Sequence, residues 1–315
     1  METTTMQIPG SPDYILSVQL LLQLHNLIAQ GKEDSEEAES VRDATEKPWY
    51  RLSEAEQTRL RVLSANLDML INDEAFRPVP PEQRTEKYLG DLLVQAQQNR
   101  DWDTALALLR NGPDFLSPDE LAHLRGASYF YLGHYDIAYL FAEYAFKQNP
   151  NKTEYAYLAM ASLLEGRHYQ EASLWANRIL ANANANASDR LGAVWALFKE
   201  AQDLSQGMAR VQYNRIAPIL QELVDRRNDT SLDEIKQILG LKLDIILAFC
   251  YMGANQTNKA ISILDNILAK DPKNEDALEG KRISTSNQSV AIKEQQVRKR
   301  LDNLVPNTKQ FAHAA

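Results

Sequence analysis

Apolar residues recur at helical spacing along most of this 315-residue chain. Tyr14, Ile15, Val18, Leu21, Leu22 and Leu24 return at intervals of three and four after Ser11-Pro12. Ser11 can cap the first amides, and Pro12 lacks only a donor that a first turn leaves unsatisfied. Gly31 marks the stop. Leu60, Leu63, Leu67 and Leu70 form the next stripe, opened by Ser53 and Glu56 at capping-box spacing. Between these two helices, Glu33 to Glu46 is acidic. It reads as a solvated linker or an exposed short helix, with a docking strip for a basic partner as the sharper alternative. Pro78, Pro80 and Pro81 then interrupt the pattern and place a boundary near residue 80.

Beyond that break one pattern returns. An apolar helix leads into a short polar turn, then an aromatic or polar residue, then Ala three residues later. It occurs at Trp102/Ala105, Tyr135/Ala138, Tyr169/Ala172 and Thr257/Ala260, and the first three alanines are 33 and 34 residues apart. A fixed period in this range signals stacked helical hairpins. Where two antiparallel helices cross closely only Gly or Ala fits, while the aromatic fills the wedge at the turn. The 88 residues from Ala172 to Ala260 do not fit the period, so the array is interrupted. Asp189–Asp203 and Arg210–Arg227 form a longer hairpin there, and the alternating Ala and Asn of 181–187 is the loop before it. Ser117-Pro118 with Glu120, and Ser231 with Glu234, are further capping boxes; Leu116 and Leu121 can staple the first. Gly133 and Gly253 fall at helix ends, where a left-handed residue is expected.

The unit from Asp119 to Lys152 carries Gly126, Tyr129, Gly133, Tyr135, Ala138, Ala145 and Pro150; that from Leu241 to Asn274 carries Leu247, Ala248, Tyr251, Ala260 and Pro272. At these positions the chain resembles the tetratricopeptide repeat family. Arg125, Ala142, Met160, Thr257 and Ile267 depart from its pattern. The resemblance implies an all-α fold, a right-handed superhelical solenoid of antiparallel helix hairpins, with an N-terminal helical region. It implies a concave groove lined around Glu120, His123, Ala127, Phe130 and Tyr131, and in the next unit around Glu154, Tyr157, Ala161, Leu164 and Glu165. Phe130, Tyr131 and Tyr157 would give a peptide large contact area at small entropic cost; interhelical packing is the competing role for each aromatic. The family's clamp on a terminal carboxylate is not evident, because Gly90, His123 and Tyr157 occupy one of its rows. The layout also resembles bacterial proteins with a Pro-Trp-Tyr segment in an N-terminal helical region, here Pro48-Trp49-Tyr50.

Composition narrows the picture. Twelve Gly and twelve Pro leave few turns, as hairpins need. A net charge of −9 argues against nucleic acid, which needs clustered Lys and Arg. The one basic cluster, Arg298-Lys299-Arg300, is expected on a solvated helix face, with an anionic partner as the alternative. One cysteine excludes a disulfide framework; Cys250 sits in the apolar run 245–252 and reads as packing. The five histidines form no tight metal pair, and no phosphate loop, dinucleotide fingerprint or nucleophile elbow occurs. No metal, cofactor or catalytic residue is expected. No stretch suits a secretory signal or a bilayer span, so the expected location is the cytoplasm.

The expected organisation is a helical region with an acidic linker over 1–80, a solenoid over 85–286 with its longer hairpin at 188–227, and a C-terminal capping helix and tail over 287–315. In that last segment Val290, Val297, Leu301 and Leu304 form an apolar stripe able to cover a terminal hairpin. The expected function is a non-catalytic adaptor or scaffold holding a protein or peptide segment, with Glu120, His123, Phe130, Tyr131, Tyr157, Leu164 and Glu165 as contact residues. Two alternatives remain open. One is a secretion or assembly chaperone holding an apolar client. The other is a regulator or enzyme with a polar pocket in the central hairpin.

Overall fold

The computed structural model describes residues 10–71, 86–110, 116–226 and 242–304, with the side chains of 86–89 left aside. The proline break near residue 80 and the Ser231 capping box lie outside the described residues. Within them the chain is all-α, built from antiparallel helix hairpins. It divides into two compact units, Met1–Pro150 and Asn151–Ala315.

The first unit contains α1 (Pro12–Ala29), α2 (Glu36–Trp49), α3 (Glu54–Ile71), α4 (Glu86–Gln98), α5 (Trp102–Leu109), α6 (Pro118–Tyr131) and α7 (Tyr135–Gln148). Ser11 accepts from the Tyr14 amide and starts α1 with Pro12 at its first position. Of the two readings of the acidic stretch, the structure shows the short helix. Ser35 caps α2, which takes up residues 36–46 of the stretch and runs on to Trp49. Ala38 and Val41 account for this, because they bury against Leu20, Leu24 and Leu27 of α1 and leave the glutamates outside. Ser53 and Glu56 make the expected reciprocal bonds at the start of α3. Ser117 and Glu120 do the same for α6.

The second unit contains α8 (Thr153–Glu165), α9 (Tyr169–Ala181), α10 (Ala187–Asp203), α11 (Gln206–Asp225), α12 (Lys242–Gly253), α13 (Thr257–Lys270), α14 (Glu275–Thr285) and α15 (Val290–Leu304). The central hairpin α10/α11 has helices of 17 and 20 residues, against 13 in α8 and in α9. Asn186 accepts from the Asp189 amide and ends the Ala/Asn loop.

The repeat has a backbone cause. Four hairpins, α4/α5, α6/α7, α8/α9 and α12/α13, close with the same turn, which also ends α1 at Gly31. Arg100, Gly133, Arg167 and Asn255 adopt left-handed backbone with φ of 58°, 85°, 64° and 60°. In each, the next residue's N–H reaches back five positions: Asp101 to Ala96 O, His134 to Tyr129 O, His168 to Leu163 O and Gln256 to Tyr251 O, all at 2.8–2.9 Å. The left-handed residue bonds back three, to Gln97, Phe130, Leu164 and Met252. This double bond is the Schellman motif, which satisfies carbonyls a helix end leaves open. Five residues after each left-handed position stands the repeat alanine: Ala105, Ala138, Ala172 and Ala260 are all fully buried.

Gly253 is not the left-handed residue of its turn; Asn255 is. Gly253 is small for another reason. A Cβ there would stand 2.6 Å from the Tyr213 ring of α11. Gly192 of α10 is the parallel case, with Tyr157 of α8 at 2.4 Å from a Cβ. Both glycines let a helix backbone lie against a tyrosine ring.

Candidate functional site

The seven expected contact residues fall into two groups. Glu120, His123 and Tyr131 on α6, and Glu165 on α8, are half-buried. Phe130, Tyr157 and Leu164 are buried, at 0%, 3% and 6% exposure. Phe130 packs edge-on against Tyr131 and Tyr135, and Tyr157 lies against Gly192. These three are packing residues. Tyr131 keeps one ring face on Trp102 of α5, stacked at 4.3 Å between centroids.

Arg125, a departure from the repeat pattern, also has a role. It is fully buried. Its guanidinium donates to the carbonyls of Leu109 at 2.7 Å and Arg110 at 3.3 Å, and to Met69 Sδ at 2.9 Å. α5 spans only 8 residues, and Arg125 satisfies carbonyls at its C-terminal end. Burial lowers its pKa to about 10, with the Tyr129 interaction opposing, so it stays charged at neutral pH.

The sequence pattern does not disclose a cavity of about 550 Å³ in the first unit. Tyr14 of α1 and Tyr129 of α6 line it, with His134 from the α6/α7 turn. α3 supplies Glu54, Thr58, Arg59 and Val62, and α5 supplies Asp103 and Leu106. Both tyrosine rings meet the His134 imidazole edge-on, at 6.0 and 6.2 Å. The helices around it are tied by polar bonds. Glu56 accepts from the Ser11 N–H at 2.7 Å and from the Ser53 N–H at 2.9 Å. Asn66 Nδ2 donates to the Tyr129 hydroxyl at 2.8 Å. Arg59 pairs with Asp103 at 2.6 Å.

Electrostatics follow from these placements. Burial pushes the Tyr14 hydroxyl up to about 12 and raises Tyr129 further. Burial lowers the His134 pKa to about 4, Arg59 adding to the shift and Asp103 opposing it. The imidazole is therefore neutral at pH 7. Its Nδ1 is buried with no hydrogen-bond partner among the described residues. The bonds from Ser11 and Ser53 hold the Glu56 carboxyl down at about 2.

The central hairpin has an apolar interior of Leu191, Val194, Trp195, Phe198, Tyr213, Ile216 and Leu220. Its perturbed groups are Asp189 at the start of α10, raised to about 6 by burial, with Glu154 adding to it, and Tyr213 of α11, raised by burial. Cys250 is fully buried, its thiol donating to Tyr213 O at 3.4 Å, and burial raises its pKa. Among the described residues no three His, Cys, Asp or Glu side chains converge as a metal site requires. No described helix is long and apolar enough to cross a membrane.

The basic cluster near residue 300 is used within the second unit. Arg298 donates to Gln202 O at 3.1 Å and Leu204 O at 3.0 Å, and Arg300 pairs with Asp276 at 3.5 Å.

No family model matches the chain, and no curated protein matches it. Among solved structures it is similar to the tetratricopeptide domain of P58(IPK), determined at 2.5 Å, at 16% identity and a TM-score of 0.29, covering 95% of this chain and 77% of that one.

Proposed function

We propose that the chain is a non-catalytic adaptor or scaffold of tetratricopeptide type, holding a protein or peptide segment on the first helices of its hairpins. The observation that carries this reading is the turn repeated in four hairpins with a buried alanine five residues on. Repeated hairpins present long surfaces made of equivalent helix faces, which suit extended partners. On α6, Glu120, His123 and Tyr131 lie at spacings that share one face, and each is partly accessible. They are the contact residues on that helix, with Glu165 the accessible candidate on α8. Phe130 packs edge-on against Tyr131 on the same helix. The protein works in the cytoplasm in this reading.

Crosslinking and mass spectrometry in lysate of the native host tests it. A partner should be recovered in stoichiometric yield, with crosslinks mapping to α6. Changing Glu120, His123 and Tyr131 together to alanine should reduce that yield on the order of tenfold, as expected when contact residues in one patch are truncated. Recovery of no protein partner would sink the proposal.

A further inference from the structure

The cavity in the first unit lies apart from the α6 face, and Glu120, His123 and Tyr131 are not in its lining. Its volume of about 550 Å³ lies within the range of small-molecule sites, roughly 300–1,000 Å³. Its floor is buried: Tyr14, Leu106, Tyr129 and His134 are 3–6% exposed. Its rim is open at Glu54, Ala55, Thr58 and Ala107. Charge is distributed unevenly across it. Two carboxylates, Glu54 and Asp103, face one cation, Arg59, which Asp103 already holds at 2.6 Å. The imidazole on the floor carries no charge at neutral pH, and its Nδ1 is a buried polar atom the described chain leaves without a partner. An acid entering here would have to take Arg59 from Asp103 and sit beside Glu54. A cation meets two carboxylates, with the Tyr14 and Tyr129 rings among the lining.

We propose that this cavity binds a small amine with an aromatic or branched aliphatic body, the body on Leu106, Val62 and the tyrosine rings, the ammonium on Asp103 and Glu54. The proposal does not depend on the adaptor reading, because neither its residues nor its ligand are shared with the α6 face.

Isothermal calorimetry on the full chain tests it with three probes of one shape: tryptamine, neutral tryptophol and indole-3-propionate. Tryptamine should bind tightest, on the order of tenfold over tryptophol, the worth of one charge-assisted contact. Indole-3-propionate should bind weakest. The double variant E54Q/D103N should remove the tenfold preference for tryptamine while leaving tryptophol binding intact. Both side chains are at the rim, so the fold should survive, as a thermal melt would verify. Ala55→Trp, at an exposed rim position, should block both probes. The proposal fails if the three probes bind alike or none binds, or if Ala55→Trp leaves tryptamine bound. It also fails if no amine binds and Ala55→Trp instead removes protein crosslinks, since the cavity then seats a partner's side chain.

Discussion

The two units use helices outside the repeated hairpins in contrasting ways. In the first, α3 reaches the repeat elements through polar ties, Arg59 on Asp103 and Asn66 on Tyr129, and the Ser11 amide on Glu56 ties α1 to α3. A cavity of about 550 Å³ lies among them. In the second, α15 lays Val297, Leu301 and Leu304 into the core, exposed by 1%, 1% and 8%. Arg298 and the Lys199–Asp302 pair then fasten it to α10 and the residues just after it. The difference is physical. A hydrogen bond fixes the distance between two backbones and tolerates space beside it. An apolar stripe gains free energy only by contact, so it leaves less room: the cavity beside α15, lined in part by Val290 and Val297, is about 120 Å³.

The largest expected effect tests the contact half of that comparison. Leu301→Ala removes a side chain that is 1% exposed. It should cost roughly 2–4 kcal/mol, the usual range for a core Leu truncation. Hydrogen exchange should show α15 amides losing protection well before those of α8. If α15 keeps its protection, polar staples hold it and the contrast between the units collapses.

Acid should divide the two units next. The folded His134 pKa is depressed from 6.5 to about 4. Between those values the unfolded chain binds a proton that the folded chain refuses. Its contribution is therefore complete above pH 6.5 and lost as pH falls through the window toward 4. His25 is shifted in the same direction, also by burial. Asp189 works oppositely, because burial raises its pKa from 3.8 to about 6. Its contribution is complete below pH 3.8 and lost as pH rises through 6. The His134 and Asp189 shifts correspond to at most roughly 3–3.5 kcal/mol each. Exchange at pH 4.5 and 7, corrected for intrinsic rates, should show α6 and α7 better protected at pH 7 and the start of α10 better protected at pH 4.5. Slopes of one sign in both would refute the assignment.

Tyr129→Phe probes a polar tie directly. It keeps the ring, and with it the cavity wall, but leaves the buried Asn66 amide without its acceptor. Losing one partner of a buried pair costs roughly 1–3 kcal/mol. A melting point unchanged by this substitution would show that the Asn66–Tyr129 tie contributes nothing to holding the first unit.

How much of this was legible depended on sequence distance. The caps at Ser11, Ser53 and Ser117 are local, three residues from donor to acceptor, and the sequence displays them. The second job of Glu56, accepting from the Ser11 amide 45 residues away, leaves no local trace. The cavity is the extreme case. Tyr14, Arg59, Asp103 and His134 are neighbours only after four helices have met, and each has an ordinary local setting. Arg125 and Gly253 were visible as oddities, one breaking the repeat pattern and one resembling a helix stop. Their causes, open carbonyls on α5 and the ring of Tyr213, lie on other helices. Phe130 and Tyr157 were expected in a groove because the resemblance to tetratricopeptide repeats implies one there. Spacing fixes a helix face but not what covers it.

The α15 stripe holds one flaw that sharpens the comparison. Val290 at the start of α15 is 57% exposed; positions 294, 297, 301 and 304 form the buried seam, and the first of them is Glu294, 6% exposed. Neither carboxylate oxygen has a hydrogen-bond partner among the described residues, and Arg298 stands 3.9 Å away. A buried charge so weakly paired opposes docking. Glu294→Leu should raise stability by about 1–2 kcal/mol, slowing exchange across α15. A loss of stability would mean the carboxylate is satisfied after all.

The smallest effect belongs to the turn that both units share. Gly133 and Arg167 occupy equivalent left-handed positions with φ of 85° and 64°. A left-handed conformation strains any residue with a Cβ, by roughly 1–2 kcal/mol, while Gly adopts it freely and loses more entropy on folding. A Cβ built at Gly133 meets nothing within 4 Å, so Gly133→Ala changes the backbone energy alone. It should destabilise the α6/α7 hairpin by about 1 kcal/mol. Arg167→Gly relieves the same strain in α8/α9 but frees the unfolded chain, so its gain should be nearer 0.5 kcal/mol, about half the Gly133 loss. Paired melts of the two variants measure the ratio. Opposite signs with the larger magnitude at Gly133 would show that the turn geometry, rather than the neighbouring helices, sets the strain in both units. Equal signs would mean the Arg167 side chain stabilises its turn by contacts that outweigh its backbone.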